Sequence, residues 1–266
     1  MAARKKNSST SGDDGLPQVS VSDDGVARYL HLGTPWVQGS MKLKEPFEID
    51  LEYVQRMMAW LLFVDPDSVA ERRAVQLGLG AAALTKFHYK KLKMRTAAIE
   101  INPLVVNICR NWFKLPPDND MLEVVLGDAS LEILQPRWQG TVDALQVDLY
   151  DHNAAAPVLD SVEFYADCRA MLTPEGSMTV NLFGRASSYQ RSLDKITEAF
   201  GAGHVWAFRP TREGNTIVLA QRVATPLARE ELQARAEAVQ ARWGLPATKW
   251  LKVFKRIEPV ADLSAD

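Results

Sequence analysis

The stretch V-Q-L-G-L-G-A-A-A-L-T-K-F, Val75 to Phe87, decides the fold. Its first residues, Val75-Gln76-Leu77, read as a strand. Gly78 and Gly80 make a turn, and A-A-A-L-T-K-F has the composition of a helix. Glycine permits positive φ and lets a backbone approach a ligand closely. A strand, a glycine turn and a helix in that order open many nucleotide-binding sheets. The third glycine of G-x-G-x-x-G is absent, and Ala83 stands in its place. A plain strand-to-helix turn is the other reading of these residues.

Outward from this turn, strands and helices alternate. M-R-T-A-A-I-E-I reads as a strand and L-V-V-N-I-C-R-N-W-F as a helix behind Asn102-Pro103. L-E-V-V-L-G-D and A-L-Q-V-D-L-Y are strands. V-E-F-Y-A-D-C-R-A-M-L is a helix stopped by T-P-E-G. S-M-T-V-N-L-F, a helix over Y-Q-R-S-L-D-K-I-T-E-A-F and two closing strands follow. The pattern predicts an α/β fold, a Rossmann-like, mainly parallel sheet with helices on both faces. Before it, residues 17–50 read as short strands separated by turns, a small N-terminal β domain. L-E-Y-V-Q-R-M-M-A-W-L-L-F, from Leu51 to Phe63, reads as one helix. The sheet domain is expected over 51–224. A charged helix and tail fill 225–266, and residues 1–16 form a polar, disordered tail.

In such a sheet the ligand sits at the carboxyl ends of the strands. Glu100 ends the second strand, twenty residues past Gly80, a spacing suited to a carboxylate on ribose hydroxyls. Gly127-Asp128-Ala129 ends the third. Its Asp is placed to accept from an adenine amino group or, more plainly, to cap the next helix. Asp148-Leu149-Tyr150-Asp151 ends the fourth, with two carboxylates three residues apart. They suit a cationic amine and the removal of its proton. A loop of turn-forming Asp is the plainer alternative.

These motifs together resemble the polyamine aminopropyltransferases, the spermidine synthase family, from about Val19 to Arg222. The resemblance rests on the β domain, on Gln38 of W-V-Q-G-S-M, and on the Asp148/Asp151 pair, matching the family's D-S-S-D. E-Y-V-Q-R-M-M resembles the family's Y-x-E-M helix start, with Gln55 in its second polar position. Glu100 matches the acidic residue on ribose, and Gly127-Asp128-Ala129 the family's G-D-A. Glu163-Phe164-Tyr165 and Leu172 to Gly176 match motifs shared with class I methyltransferases.

The resemblance implies displacement on decarboxylated S-adenosylmethionine. An amine attacks the methylene beside the sulfonium, and methylthioadenosine leaves. No metal is implied. Asp148 is then the base and Asp151 holds the substrate. Gln38, Gly78, Gly80, Glu100, Asp128 and Ala129 serve the adenosyl group. Gln55, Tyr150 and Arg212 line the acceptor side.

The chain departs from the family at three places. The family's glycine loop reads G-G-G-D-G-G, and here the Asp position is Ala81. The family's P-T-Y is Pro210-Thr211-Arg212. Gly184-Arg185 replaces an acidic residue near the far amine. Each change removes negative charge or adds positive charge where cations bind. The expectation is an adenosyl site kept and an amine site altered. A class I methyltransferase using S-adenosylmethionine itself, and a non-catalytic adenosyl-binding relative, stay open as alternatives.

Composition bounds the rest. A hydrophobic share of 47% and a charged share of 24% in 266 residues suit a soluble globular protein. The net charge of -2 gives no general attraction to nucleic acid or membrane. K-K-L-K-M-R at 90–95 is the one basic cluster and reads as a solvated helix end. No apolar run reaches membrane-spanning length. Cys109 and Cys168 read as buried thiols, consistent with a cytoplasmic protein. The expected partners are a small amine substrate and, by the family pattern, a second copy in a homodimer.

Overall fold

The computed structural model describes residues 16–149, 159–183 and 186–257. A three-stranded antiparallel sheet comes first: β1 (Val19–Asp23), β2 (Ala27–Leu32) and β3 (Gly39–Lys42). Asp24 caps the β1–β2 turn by accepting from the N–H groups of Val26 and Ala27, each at 2.8 Å. The third strand starts only at Gly39, so Trp36 to Gln38 lead into it.

Helix α1 (Glu52–Arg56) follows, then a 3-10 helix over Met57–Phe63 and another over Pro66–Glu71. The single helix expected over 51–63 is therefore split. All seven residues from Met57 to Phe63 are buried. A 3-10 helix presents three eclipsed rows of side chains. That suits a segment enclosed on every side better than a helix with one apolar face.

The main sheet uses β4 (Arg73–Leu77), β5 (Arg95–Glu100), β6 (Leu122–Leu126), β7 (Val142–Val147), β8 (Leu172–Phe183), β9 (Val205–Phe208), β10 (Asn215–Gln221) and β11 (Phe254–Arg256). Their order is β11-β9-β10-β8-β7-β4-β5-β6. β8, β7, β4, β5 and β6 run parallel, whereas β10, β9 and β11 are antiparallel. The Rossmann-like sheet and its small β unit are thus present as expected. One element differs: the C-terminal segment is not merely a helix and tail, because β11 adds to the sheet edge through β9.

The connecting helices are α2 (Ala83–Lys90), α3 (Pro103–Trp112), α4 (Ala129–Glu132), α5 (Val162–Met171), α6 (Ala186–Phe200), α7 (Arg229–Trp243) and α8 (Ala247–Trp250). The strand pleat sends alternate residues to opposite faces. Val75, Leu77, Leu145, Val147, Met178 and Val180 meet α5 and α6 on one face. Ala74, Ala144, Ile217 and Leu219 face α2, the Met57–Phe63 segment and α7 on the other. A third cluster joins β2 and β3 to α3 and the glycine turn. No described helix is long and apolar enough to cross a membrane.

Candidate active site

The glycine turn between β4 and α2 is tied down from every side. Gly78 has φ +82, and a Cβ there would lie 2.4 Å from the Asp148 carbonyl oxygen. The turn thus rests directly on the end of β7. Gly80 also has positive φ, at +52. From the small sheet, Gly39 stands on Ala81: a Cβ on Gly39 would sit 2.7 Å from that of Ala81. Gln76 holds the turn from below. Its amide donates to the Gly78 carbonyl at 2.6 Å, and its oxygen accepts from Thr85 N–H and hydroxyl at 3.1 and 2.6 Å. Behind the turn, the Cys109 thiol donates to the Gly80 carbonyl at 3.1 Å. Burial pushes that thiol up to about 12, so it stays protonated.

Glu100 does more for the turn than its spacing suggests. Its two carboxylate oxygens accept from the Leu79 and Asn102 N–H groups, each at 2.8 Å. Burial raises its pKa, and backbone hydrogen bonds, that from Leu79 first, oppose the rise. A carboxylate has about four acceptor sites, so capacity for a ligand remains. Asp128 caps α4, accepting from the Ser130 N–H and hydroxyl, each at 2.8 Å. Ala129 is buried against the sheet. Glu100, Asp128 and Ala129 form one group, past the turn on the β5–β6 side. The Gly127 N–H to Glu100 carbonyl bond, 3.0 Å, joins those strand ends.

The other group lines a narrow cleft between the turn, β3 and α1. Gln38, Gly80, Ala81, Gln76, Tyr53 and Asp148 are among its walls. Asp148 is half-buried at the carboxyl end of β7. Asn181 of β8 donates through Nδ2 to its Oδ1 at 2.8 Å, and the Tyr53 hydroxyl to its Oδ2 at 3.3 Å. Burial raises the Asp148 pKa; the bonds from Asn181 and then Tyr53 pull it back. The result is a carboxylate with raised proton affinity, oriented by two donors and open to a cleft. Such a group can accept a proton from a nucleophile.

Gln55 is turned away from this cleft: its amide donates to the Ile49 carbonyl at 2.9 Å. Tyr53, two residues earlier, is the residue of that helix that reaches Asp148. Arg212 is exposed in the turn between β9 and β10, and Asn215, at the start of β10, points inward instead, bonding Asn181 at 3.0 Å. Tyr150, Asp151, Gly184 and Arg185 lie outside the described residues. The residues missed from sequence are Tyr53, Gln76, Asn181 and Asn215. Alternation did carry a signal for one of them. In β7 and β8, Asp148 and Asn181 continue the rows of Gln146 and Thr179.

Two curated relatives match nearly the whole chain. A polyamine aminopropyltransferase of Chromobacterium violaceum is 30% identical over 91% of this chain and 91% of its own length. One of Neisseria meningitidis serogroup A is 31% identical over 92% of each. The chain belongs to the polyamine aminopropyltransferase family. No protein-family model matches it. Among solved structures, a probable spermidine synthase from Corynebacterium glutamicum superposes with a TM-score of 0.72. It covers 99% of this chain and 100% of its own, at 17% identity. That likeness concerns the fold, including the small sheet ahead of the large one.

Proposed function

We propose that this transferase moves an aminopropyl group from decarboxylated S-adenosylmethionine to an amine acceptor, releasing methylthioadenosine. The observation that carries the reading is Asp148. Its carboxylate lines the cleft, its backbone touches the glycine turn at Gly78, and its proton affinity is raised by burial.

The step balances without a further reactant. The amine lone pair attacks the methylene carbon on the sulfonium. The carbon–sulfur bond breaks, its electron pair going to sulfur and cancelling the positive charge. The proton displaced from the amine passes to Asp148. An alkylamine has a pKa near 10 and is mostly protonated at neutral pH. A base beside it supplies the free lone pair, and a raised carboxyl pKa improves that transfer.

Gln38, Gly78 and Gly80 shape the adenosyl side at the turn, with Glu100 on the ribose and Asp128 and Ala129 at the base. Tyr53 takes the acceptor-side place first assigned to Gln55. Asp151 and Tyr150 complete the acceptor side in this reading. Ala81 leaves the donor's amine without the counter-charge that an Asp supplies, a charge-assisted bond worth roughly 1.5–3 kcal/mol. A cytoplasmic setting fits two buried free thiols. Assembly as a homodimer is part of the same proposal.

Mass spectrometry of the adenosyl by-product tests the reading. The protein is offered decarboxylated and intact S-adenosylmethionine with a mixture of polyamines. Methylthioadenosine with an aminopropylated amine is expected. Adenosylhomocysteine, or no by-product, overturns the assignment.

A further inference from the structure

We infer that Asn215, the first residue of β10, is a positioning residue for Asp148: it fixes the orientation of the Asn181 amide that holds the carboxylate. The inference rests on the proposed role of Asp148 as base. It adds a residue that bonds Asn181 and acts on Asp148 through it.

The argument starts from what each group can donate. An ionised carboxylate only accepts hydrogen bonds. Asn181 must therefore turn its NH2 toward Asp148, as it does at 2.8 Å. That orientation points the amide oxygen of Asn181 the other way. A buried amide oxygen needs a donor. Asn215 supplies it, Nδ2 to Oδ1 at 3.0 Å. A flipped Asn181 would set an oxygen against the carboxylate and an NH2 against another NH2. The two asparagines therefore share one consistent orientation, imposed from both ends.

The backbone makes this chain of amides rigid. β7, β8 and β10 are adjacent strands of one sheet. Asn215 pairs with Phe183 across β8, and Ile217 with Asn181. The turn ahead of Asn215 is closed by Thr211 N–H to the Asn215 carbonyl at 2.7 Å. The Asn215 N–H in turn donates to the Thr211 hydroxyl at 3.2 Å. Gly214 in that turn has φ +99, and the Phe183 ring packs 3.3 Å from where its Cβ would stand. The hairpin tip that exposes Arg212 thus delivers Asn215 inward.

The groups facing Asp148 define how its titration responds. From α1 comes the Tyr53 hydroxyl, from β4 the Gly78 backbone, and from β8 the Asn181 amide. The charged pair on α1, Glu52 with Arg56, is closed on itself and on the Arg209 carbonyl. Asn181 is the largest influence that lowers the Asp148 pKa. Freeing its amide to rotate raises that pKa, so activity at low pH is lost first.

The experiment is the pH profile of kcat/KM for aminopropyl transfer in wild type, Asn215→Ala and Asn215→Asp. Both variants are expected to move the acid limb upward, by about half to one pH unit for Asn215→Ala. Asn215→Asp keeps the shape but cannot donate, and its charge adds to the upward shift. KM for the donor should stay within about twofold, because the interaction acts on the base and not on donor binding. An acid limb that stays in place in both variants overturns the inference, whatever their absolute rates. Absence of aminopropyl transfer in the wild type would instead overturn the proposed function. In that case carbon-13 NMR titration of the Asp148 carboxyl, assigned with Asp148→Asn, decides the matter. An unchanged midpoint in Asn215→Asp overturns the inference there too.

Discussion

The two faces of the main sheet are built on different terms. The face toward α5 and α6 is apolar in every row: Val75 and Leu77, Leu145 and Val147, Met178, Val180 and Leu182. The face toward α2 and the Met57–Phe63 segment alternates small and polar side chains along the same strands. There stand Ala74 and Gln76 on β4, Ala144 and Gln146 on β7, and Ser177, Thr179 and Asn181 on β8. All of them are buried. A polar group in such a place costs free energy unless it is bonded. Most are bonded, and to the layer above: Gln76 to Thr85, Gln146 to His88, Thr179 to the Met57 carbonyl. The other end of the Gln146 amide, Oε1, and the Trp60 indole N–H of the layer above have no partner among the described residues. Both faces bury apolar clusters, and on the second face the polar rows also fix how α2 and the Met57–Phe63 segment sit. These rows run on into Asp148, Asn181 and Asn215. The cleft beside Asp148 is the open end of a buried polar layer.

Asp148→Asn gives the largest effect and separates the two kinds of contribution. Loss of a positioned base is expected to lower kcat by about 10²–10⁴-fold. Stability should move the other way. The Asp148 pKa is raised in the folded protein, so the native state binds more protons than the unfolded one between the ordinary carboxylate pKa and the raised value. Stability contributed by this group therefore falls as pH rises through that window, and above it the full cost of burying the charge remains. The variant keeps the Asn181 bond through its amide oxygen and escapes that cost. A higher Tm at pH 7, with the gain vanishing below about pH 4, is the expected result. A lower Tm at pH 7 would mean that the charge stabilises this end of the sheet.

His88 tests the middle of the same layer. Its Nδ1 lies 2.8 Å from the Leu84 carbonyl, which only accepts, so Nδ1 carries the proton. Nε2 then accepts from the Gln146 amide at 3.2 Å. Both nitrogens are used by the neutral ring, and burial pushes the pKa down to about 4. The unfolded state, with a pKa near 6.5, binds more protons between pH 4 and 6.5. Stability should therefore be lost as pH falls through that window, by up to about 3 kcal/mol. His88→Gln keeps a donor and an acceptor but does not titrate. Urea unfolding at several pH values should show a flatter acid slope in the variant. Equal slopes would mean that acid sensitivity comes from elsewhere in the chain.

Much of this was legible in the sequence, because strand–helix alternation and the residues at strand ends are local features. The glycine turn, Glu100, Asp128 and Asp148 lie where their spacing put them. Gln55 is singled out by its likeness to the second polar position of the family's Y-x-E-M start, whereas the residue that reaches Asp148 is Tyr53. The break at Met57 depends on burial from all sides, which composition does not reveal. Arg212 is singled out because it stands where the family's P-T-Y has Tyr; Asn215 matches no motif and carries no charge. The meeting of Asn181, Asn215 and Asp148 needs the order β10-β8-β7, set by pairing across more than thirty residues between Asn181 and Asn215. The buried Gln and Thr residues carry no mark of their own in the sequence, since alternation does not distinguish solvent from a second, polar layer.

The smallest expected effect lies at the turn, where the polar layer meets the small sheet. Ala82 has φ +57, a conformation that suits glycine, and it precedes α2 without a side-chain cap. Relief of that backbone strain in Ala82→Gly contributes about 1–2 kcal/mol. Against it stand the lost methyl, about 0.8 kcal/mol for a fully buried carbon, and the greater freedom of the unfolded glycine chain, about 0.5–1 kcal/mol. These terms nearly cancel, so the change in unfolding free energy should stay within about 1 kcal/mol. A gain larger than that would show that strain at the turn is held by the layers around it. A loss larger than about 2 kcal/mol would show that the Ala82 methyl is a packing contact between the glycine turn and α3. The turn would then belong with the apolar face in how it is stabilised, and with the polar face only in what it positions.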